Sequence, residues 1–246
     1  MCKLTMLVTT RGLVLKKVDY GESSIIAKIY TEKFGLQSYI FKGIKKNTSR
    51  NKRSLLEHLT FIEITAYHNE KSSVKIAKEI RLASHFIHLQ SDIYKSSIAV
   101  FINEIIYKTL KEEENNYELF NFLLNSLQIL DLAQRNFLNF HLIFLMNYVK
   151  YLGFYPINNF SNKNIYFNLN EGIFQPEIPL NAHYIDEYYS KLLSTIINLH
   201  FDEMDKIELK TNERRYLLEQ IIKYYQLHIN DLGKINSLEV LKEVLS

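Results

Sequence analysis

The chain has 246 residues, 47% of them hydrophobic and 23% charged, with a formal net charge of +3; this length suits one large or two smaller domains, and the near-average composition excludes long disordered segments. No apolar run reaches the roughly 20 residues that cross a bilayer, and MCKLTMLVTTRG is not a signal peptide, so a cytoplasmic location without membrane contact is expected. The single cysteine, Cys2, excludes an intrachain disulfide and a multi-cysteine zinc site.

The first part alternates β-rich runs with turn signals. RGLVLKKV (11–18) is followed by the turn-prone DYGESS, then IIAKIYT (25–31), the break EKFG and LQSYIFKG (36–43). After a basic segment come LTFIEITAY (59–67), the polar HNEKSS and VKIAKEI (74–80). In FIEITAY, Ile62, Ile64 and Ala66 share one face and Glu63 and Thr65 the other, as a strand requires. Five such strands with no intervening long helix favour a small closed antiparallel barrel, in which closure removes exposed edges.

From about Arg81 the period becomes helical. IRLASHFIHLQ leads into IYKSSIAVFINEIIYKTLKEEE, where Ile98, Phe101, Ile102, Ile105 and Ile106 form an i, i+3, i+4 stripe. YELFNFLLNSLQILDLA and RNFLNFHLIFLMNYVKYLGF repeat the pattern. The latter is apolar on so many sides that a central position is expected, and Gly153 and Pro156 end it. NNFSNKNIYFNLNEGIFQPEIP is irregular, with Asn-rich turns that suit a short hairpin. Helices resume in YIDEYYSKLLSTIINL and NERRYLLEQIIKYYQLHI, with Asn212 as N-cap and Gly233 closing the region. The fold class is therefore α+β and multidomain: a β-barrel over residues 1–80, then an all-α helical domain over 81–246 with an irregular insert near 154–182.

Charge separates the same two parts. Residues 1–81 hold 16 Lys and Arg against 7 Asp and Glu, a net +9, whereas the remainder holds 14 against 20 and carries −6. That asymmetry suits a polyanion-binding head on a neutral-to-acidic body. No glycine-rich phosphate loop, GxSxG elbow or HExxH is present, the eight histidines are scattered, and no enzyme activity, metal or cofactor is expected. The strongest signal is FKGIKKNTSRNKRS, Phe41 to Ser54, whose cations Lys42, Lys45, Lys46, Arg50, Lys52 and Arg53 have no carboxylate among them. Lying between two strands, it should project from the barrel as a loop and contact phosphates, gaining affinity from counterion release. Arg11, Lys16 and Lys17 are lesser candidates. Tyr20, Tyr30, Tyr39, Phe41 and Tyr67 are either stacking platforms for unpaired bases or barrel core, with Phe41 expected in the core.

The order RGLVLKKVDYGESSIIAKIYTEKFGLQSYIFKGIKKNTSR, then LLEHLTFIEITAYHN, and the ending RRYLLEQIIKYYQLHINDLGKINSLEVLKEVL together resemble the RecO family of bacterial recombination mediators. The most specific pieces are Arg11-Gly12, Asp19-Tyr20-Gly21-Glu22-Ser23, Lys42-Gly43, and Tyr224-Tyr225 with His228. The resemblance implies an N-terminal oligonucleotide-binding (OB-fold) barrel, a helical C-terminal domain, binding of single- and double-stranded DNA, annealing of complementary strands, and loading of RecA with RecR and in some cases RecF. It also implies contact with the C-terminal tail of single-stranded-DNA-binding protein. For that tail, Arg214 and Arg215 beside Leu217, Leu218 and Ile221 offer a cation and a groove. Many members carry a four-cysteine zinc module where this chain has INNFSNKNIYFNLNEGIFQPEIP, so packing and hydrogen bonding must order that segment. Members of that family often begin close to the equivalent of Met6, so the resemblance implies that MCKLT is an upstream start-site extension. An RNA-binding OB-fold module and a protein-only adaptor are the alternatives.

Overall fold

The structure, a computed structural model, describes residues 6–45, 50–69, 72–89, 91–111, 114–180 and 183–245. Two compact units emerge from the contacts: Met1–Ser91 with Ala99–Gln128, and Asp92–Ile98 with Ile129–Ser246. The division is not a cut at residue 80, because most of the first two long helices belongs with the barrel.

In the first unit, β1 (Met6–Tyr20), β2 (Ser24–Thr31), β3 (Gly35–Phe41), β4 (Phe61–His68) and β5 (Val74–Ser84) close in the order β1-β2-β3-β5-β4. β1 is long because it serves both ends of the sheet: Met6 to Leu13 pair with β4, and Gly12 to Tyr20 pair with β2. A register shift between Val14 and Lys16 bends the strand between these two duties. Gly12 sits where both neighbours meet, and a Cβ there would lie 2.5 Å from Ile29 Cγ2. The pairing is antiparallel except between β3 and β5, which run parallel. A wholly antiparallel barrel was expected from the short connections; closure instead brings together two strands that point the same way.

Period-two alternation fills the interior with Val14, Ile25, Ile29, Tyr39, Ile62 and Ile64, while Lys28 faces out. A short helix, α1 (Arg50–Ser54), follows β3, and Leu56 behind it is fully buried in the same core. Leu56 and its packed neighbour Leu55 therefore plug one end of the barrel. The strand character of β5 persists to Ser84, and helix α2 (Ile93–Thr109) begins well after Arg81, where helical periodicity was expected to start. Arg81 to Ser84 are held by pairing with β4, a long-range contact that local periodicity does not encode. Helix α3 (Tyr117–Leu132) follows; its Phe120 packs edge-on against Phe61 at 5.8 Å.

In the second unit, α4 (Phe140–Leu152) is buried from Phe140 through Val149, the central position its all-round apolar sequence requires. Gly153, at φ 84°, ends it. β6 (Tyr166–Asn168), β7 (Ile173–Gln175) and β8 (Tyr184–Ile185) then form a small sheet in the order β7-β6-β8, so the unit is not wholly helical. α5 (Glu187–Asn198), α6 (Thr211–His228) and α7 (Ser237–Val244) complete it. α6 begins one residue before Asn212: the Glu213 carboxylate accepts the Lys210 N–H at 2.8 Å, so the first turn is capped from within.

The irregular segment is ordered by amides and rings. Asn159 Oδ1 accepts the Phe174 N–H at 2.8 Å and its Nδ2 donates to Phe174 O at 2.9 Å, so one side chain imitates a strand neighbour. Phe160 and Phe167 pack on Phe174, and the Tyr224 hydroxyl donates to Phe154 O at 2.6 Å.

Candidate nucleic-acid interface

The expected basic loop is a turn plus a helical turn. After β3, Ile44 enters the core, the Lys45 N–H donates to Ser23 O at 3.1 Å, and the segment is stitched to the β1–β2 hairpin. Lys45 Nζ also lies 3.2 Å from Asp19 Oδ2 and donates to Gly21 O at 3.0 Å, so this cation is half neutralised by the protein's own acid. Lys42, Lys52 and Arg53 are exposed and make no ion pair among the described residues. Leu56 is fully buried in the barrel core and Leu55 packs against it partly buried, while Lys52 and Arg53 just before them stay at the surface. Lys46 and the Arg50 side chain lie outside the described residues.

The lesser candidates separate. Lys17 is paired with Glu57. Arg11 grips Glu32 through two contacts, NH2 to Oε1 at 2.6 Å and Nε to Oε2 at 3.0 Å, and its guanidinium lies 5.4 Å from the Phe120 ring centre. That bond raises the arginine pKa and holds the Glu32 carboxyl below its ordinary value. The barrel register puts Arg11 near the β2–β3 turn and Asp19 near the opposite turn, eight residues away along β1, or on the order of 25 Å. Arg11 is therefore a clamp at the far end rather than part of the basic turn. Lys16 is exposed, with Nζ 4.8 Å from the Tyr107 ring centre, and pairs in register with Lys28, which in turn faces Ser38. Lys28 was not picked out from the sequence, although alternation in IIAKIYT already turns it outward.

Of the aromatic candidates, Tyr30, Tyr39 and Phe41 are buried and serve the core. Burial pushes the Tyr39 phenol up to about 12. Tyr20 and Tyr67 remain exposed and available for stacking.

The residues read as a tail groove are not at the surface. Leu217, Leu218 and Ile221 are core, and Arg214 is only 8% exposed. Its guanidinium donates to Asn139 Oδ1 at 2.9 Å, Leu209 O at 3.2 Å and Leu245 O at 3.3 Å. Arg215 is exposed and donates to Lys242 O at 3.0 Å. The helix has its stripe and its two arginines, but the stripe is already covered by the unit's own packing.

Two family models cover the chain: recombination protein O N terminal over residues 6–86 and recombination protein O C terminal over 90–239. The chain belongs to the RecO family. It is similar to the DNA repair protein RecO of Flavobacterium psychrophilum, at 37% identity over 98% of this chain and 100% of the relative. It is also similar to the proteins of that name from Azobacteroides pseudotrichonymphae, at 32% over 97% and 99%, and Phocaeicola vulgatus, at 33% over 98% and 100%. Membership places this RecO chain in DNA repair and recombination, and its barrel with a following helical region is the α+β layout expected of it. Among the described residues no helix is long and apolar enough to cross a membrane.

Proposed function

We propose that this protein is a non-enzymatic mediator that binds single- and double-stranded DNA through its barrel, anneals complementary strands and, with RecR, helps load RecA onto DNA coated by single-stranded-DNA-binding protein. RecF and that protein's C-terminal tail are the further partners, and the cytoplasmic nucleoid is where it acts. The observation that carries the reading is the set of exposed cations, Lys42, Lys52 and Arg53, at one end of an OB-like barrel in a chain that matches the RecO family over nearly all its length. Two complementary strands repel through their phosphates. A cationic surface lowers the cost of their encounter, and base pairing then supplies the driving force.

The tail, if it docks on the helical unit, needs a surface other than the Leu217–Ile221 stripe; Arg215 is the cation of the original pair that is accessible to it. The decisive experiment is strand annealing and single-strand binding across a salt titration, with wild type and a Lys42→Gln, Lys52→Gln, Arg53→Gln variant. Losing three phosphate contacts should reduce the log–log salt slope for single strands by about 2, uniformly across sequences. An unchanged slope removes this end of the barrel from the mechanism.

A further inference from the structure

In the second unit the irregular segment and α5 enclose a groove. Phe160 stands where two cavities meet along the helix. One, of about 500 Å3, takes in Tyr166, Asp186, Tyr188 and Lys191; the other, of about 510 Å3, takes in Asn158, Ser194, Thr195 and Asn198. Together they follow α5 from its first residue to its last, about 18 Å for its 12 residues. That is the reach of roughly five residues of extended chain.

The chemistry of the lining is one-sided. Tyr188, Ser194 and Thr195 each spend the hydroxyl proton inside the protein, on Glu213 Oε1 at 2.5 Å and on Lys191 O at 2.7 and 3.2 Å, which leaves each oxygen as an acceptor. Asn158 donates through Nδ2 to Ser194 O at 2.7 Å, and its buried Oδ1 has no hydrogen-bond partner among the described residues. Asp186 and Glu187 add exposed carboxylates, whereas Glu203 is already paired with Lys206. Against these acceptors stand Lys191, Asn198 and the Tyr166 hydroxyl as donors. Hydroxyls bonded back to their own helix and acids in a first helical turn are each ordinary features. Gathered along one groove, they disfavour phosphate or carboxylate and suit a ligand rich in N–H donors. Phe160, Tyr166 and Tyr188 supply aromatic faces, on which a guanidinium stacks better than an ammonium.

We propose that this groove binds an extended, arginine-bearing segment of a partner protein. Its guanidinium groups lie against the tyrosines and the Asp186 and Glu187 carboxylates, and its backbone N–H groups meet the hydroxyls and the Asn158 amide. Because the groove selects cations and the turn after β3 selects anions, a basic partner and a nucleic acid do not compete for one surface.

The test uses the full-length protein and a labelled hexa-arginine peptide, beside a hexaglutamate peptide, read by hydrogen exchange and fluorescence anisotropy. Hexa-arginine is expected to slow exchange across 158–166 and along α5, and hexaglutamate to leave it unchanged. Three variants at exposed positions follow: Glu187→Gln should weaken the peptide about three-fold and Thr195→Arg about ten-fold, while Glu239→Gln, which removes the same charge from α7, should have no effect. No binding by the wild type, protection elsewhere, or equal losses from Glu187→Gln and Glu239→Gln overturns the groove, because the peptide then senses general acidity at most. Sedimentation at low salt identifies the occupant. A monomer that binds the peptide supports a foreign partner; self-association abolished by Thr195→Arg overturns it in favour of the basic segment of a second copy.

Discussion

Replacing Arg214 with methionine separates a structural arginine from a docking one. Methionine keeps most of the volume and the flexible stem but leaves Asn139 Oδ1, Leu209 O and Leu245 O without the guanidinium they share. Hydrogen bonds from charged groups contribute about 1.5–3 kcal/mol each. Removing a cation that burial already disfavours, as its lowered pKa records, returns part of that sum. A net loss of about 3 kcal/mol is therefore expected, which for a chain of this size lowers the melting temperature by roughly 6–12 °C. Arg215→Gln, at an exposed site with a single bond to Lys242 O, should change it by about 1–2 °C. Circular dichroism melts give both numbers, and calorimetry with a peptide of the single-strand-binding protein's tail, run well below both melts, gives the affinity. A melt of Arg214→Met indistinguishable from wild type, together with lost peptide binding, would refute the structural role and return Arg214 to the docking surface.

Two further outcomes are expected. His141 is fully buried beside the Arg214 cation, and burial with that charge pushes its pKa down to about 3. The unfolded chain therefore binds a proton that the fold excludes as pH falls below about 6.5, so His141 contributes stability that is complete above that pH and is lost toward pH 3 at up to about 1.4 kcal/mol per unit; urea midpoints at pH 7, 6 and 5 should show a shallower pH slope for His141→Leu, and equal slopes would reject the assignment. Asn159→Ala removes both bonds to Phe174 and should cost about 2 kcal/mol, read as faster hydrogen exchange at Phe174 and its strand neighbours, with barrel amides unchanged; exchange no faster than wild type would mean the aromatic packing alone holds the segment.

Local pattern was enough to place the strands of the barrel, the central apolar helix and the stops at Gly153 and Pro156, because period two, period 3.6 and backbone-breaking residues act over a few positions. The charge asymmetry and the cations at 42–53 were equally legible, since a run of like charge is visible without a fold. What the chain could not announce is which cations find acids: Arg11 meets Glu32 and Lys17 meets Glu57 only because closure of the barrel sets their register. Nor could a helical stripe beside two arginines reveal that its groove is already filled, as happens at Leu217, Leu218 and Ile221. Tertiary structure alone set Asn158, Phe160 and Tyr166 beside α5 as the walls of one groove. Propensity and periodicity are properties of neighbours in sequence, whereas burial, charge pairing and convergence are properties of neighbours in space, and those are decided only when distant strands and helices pack.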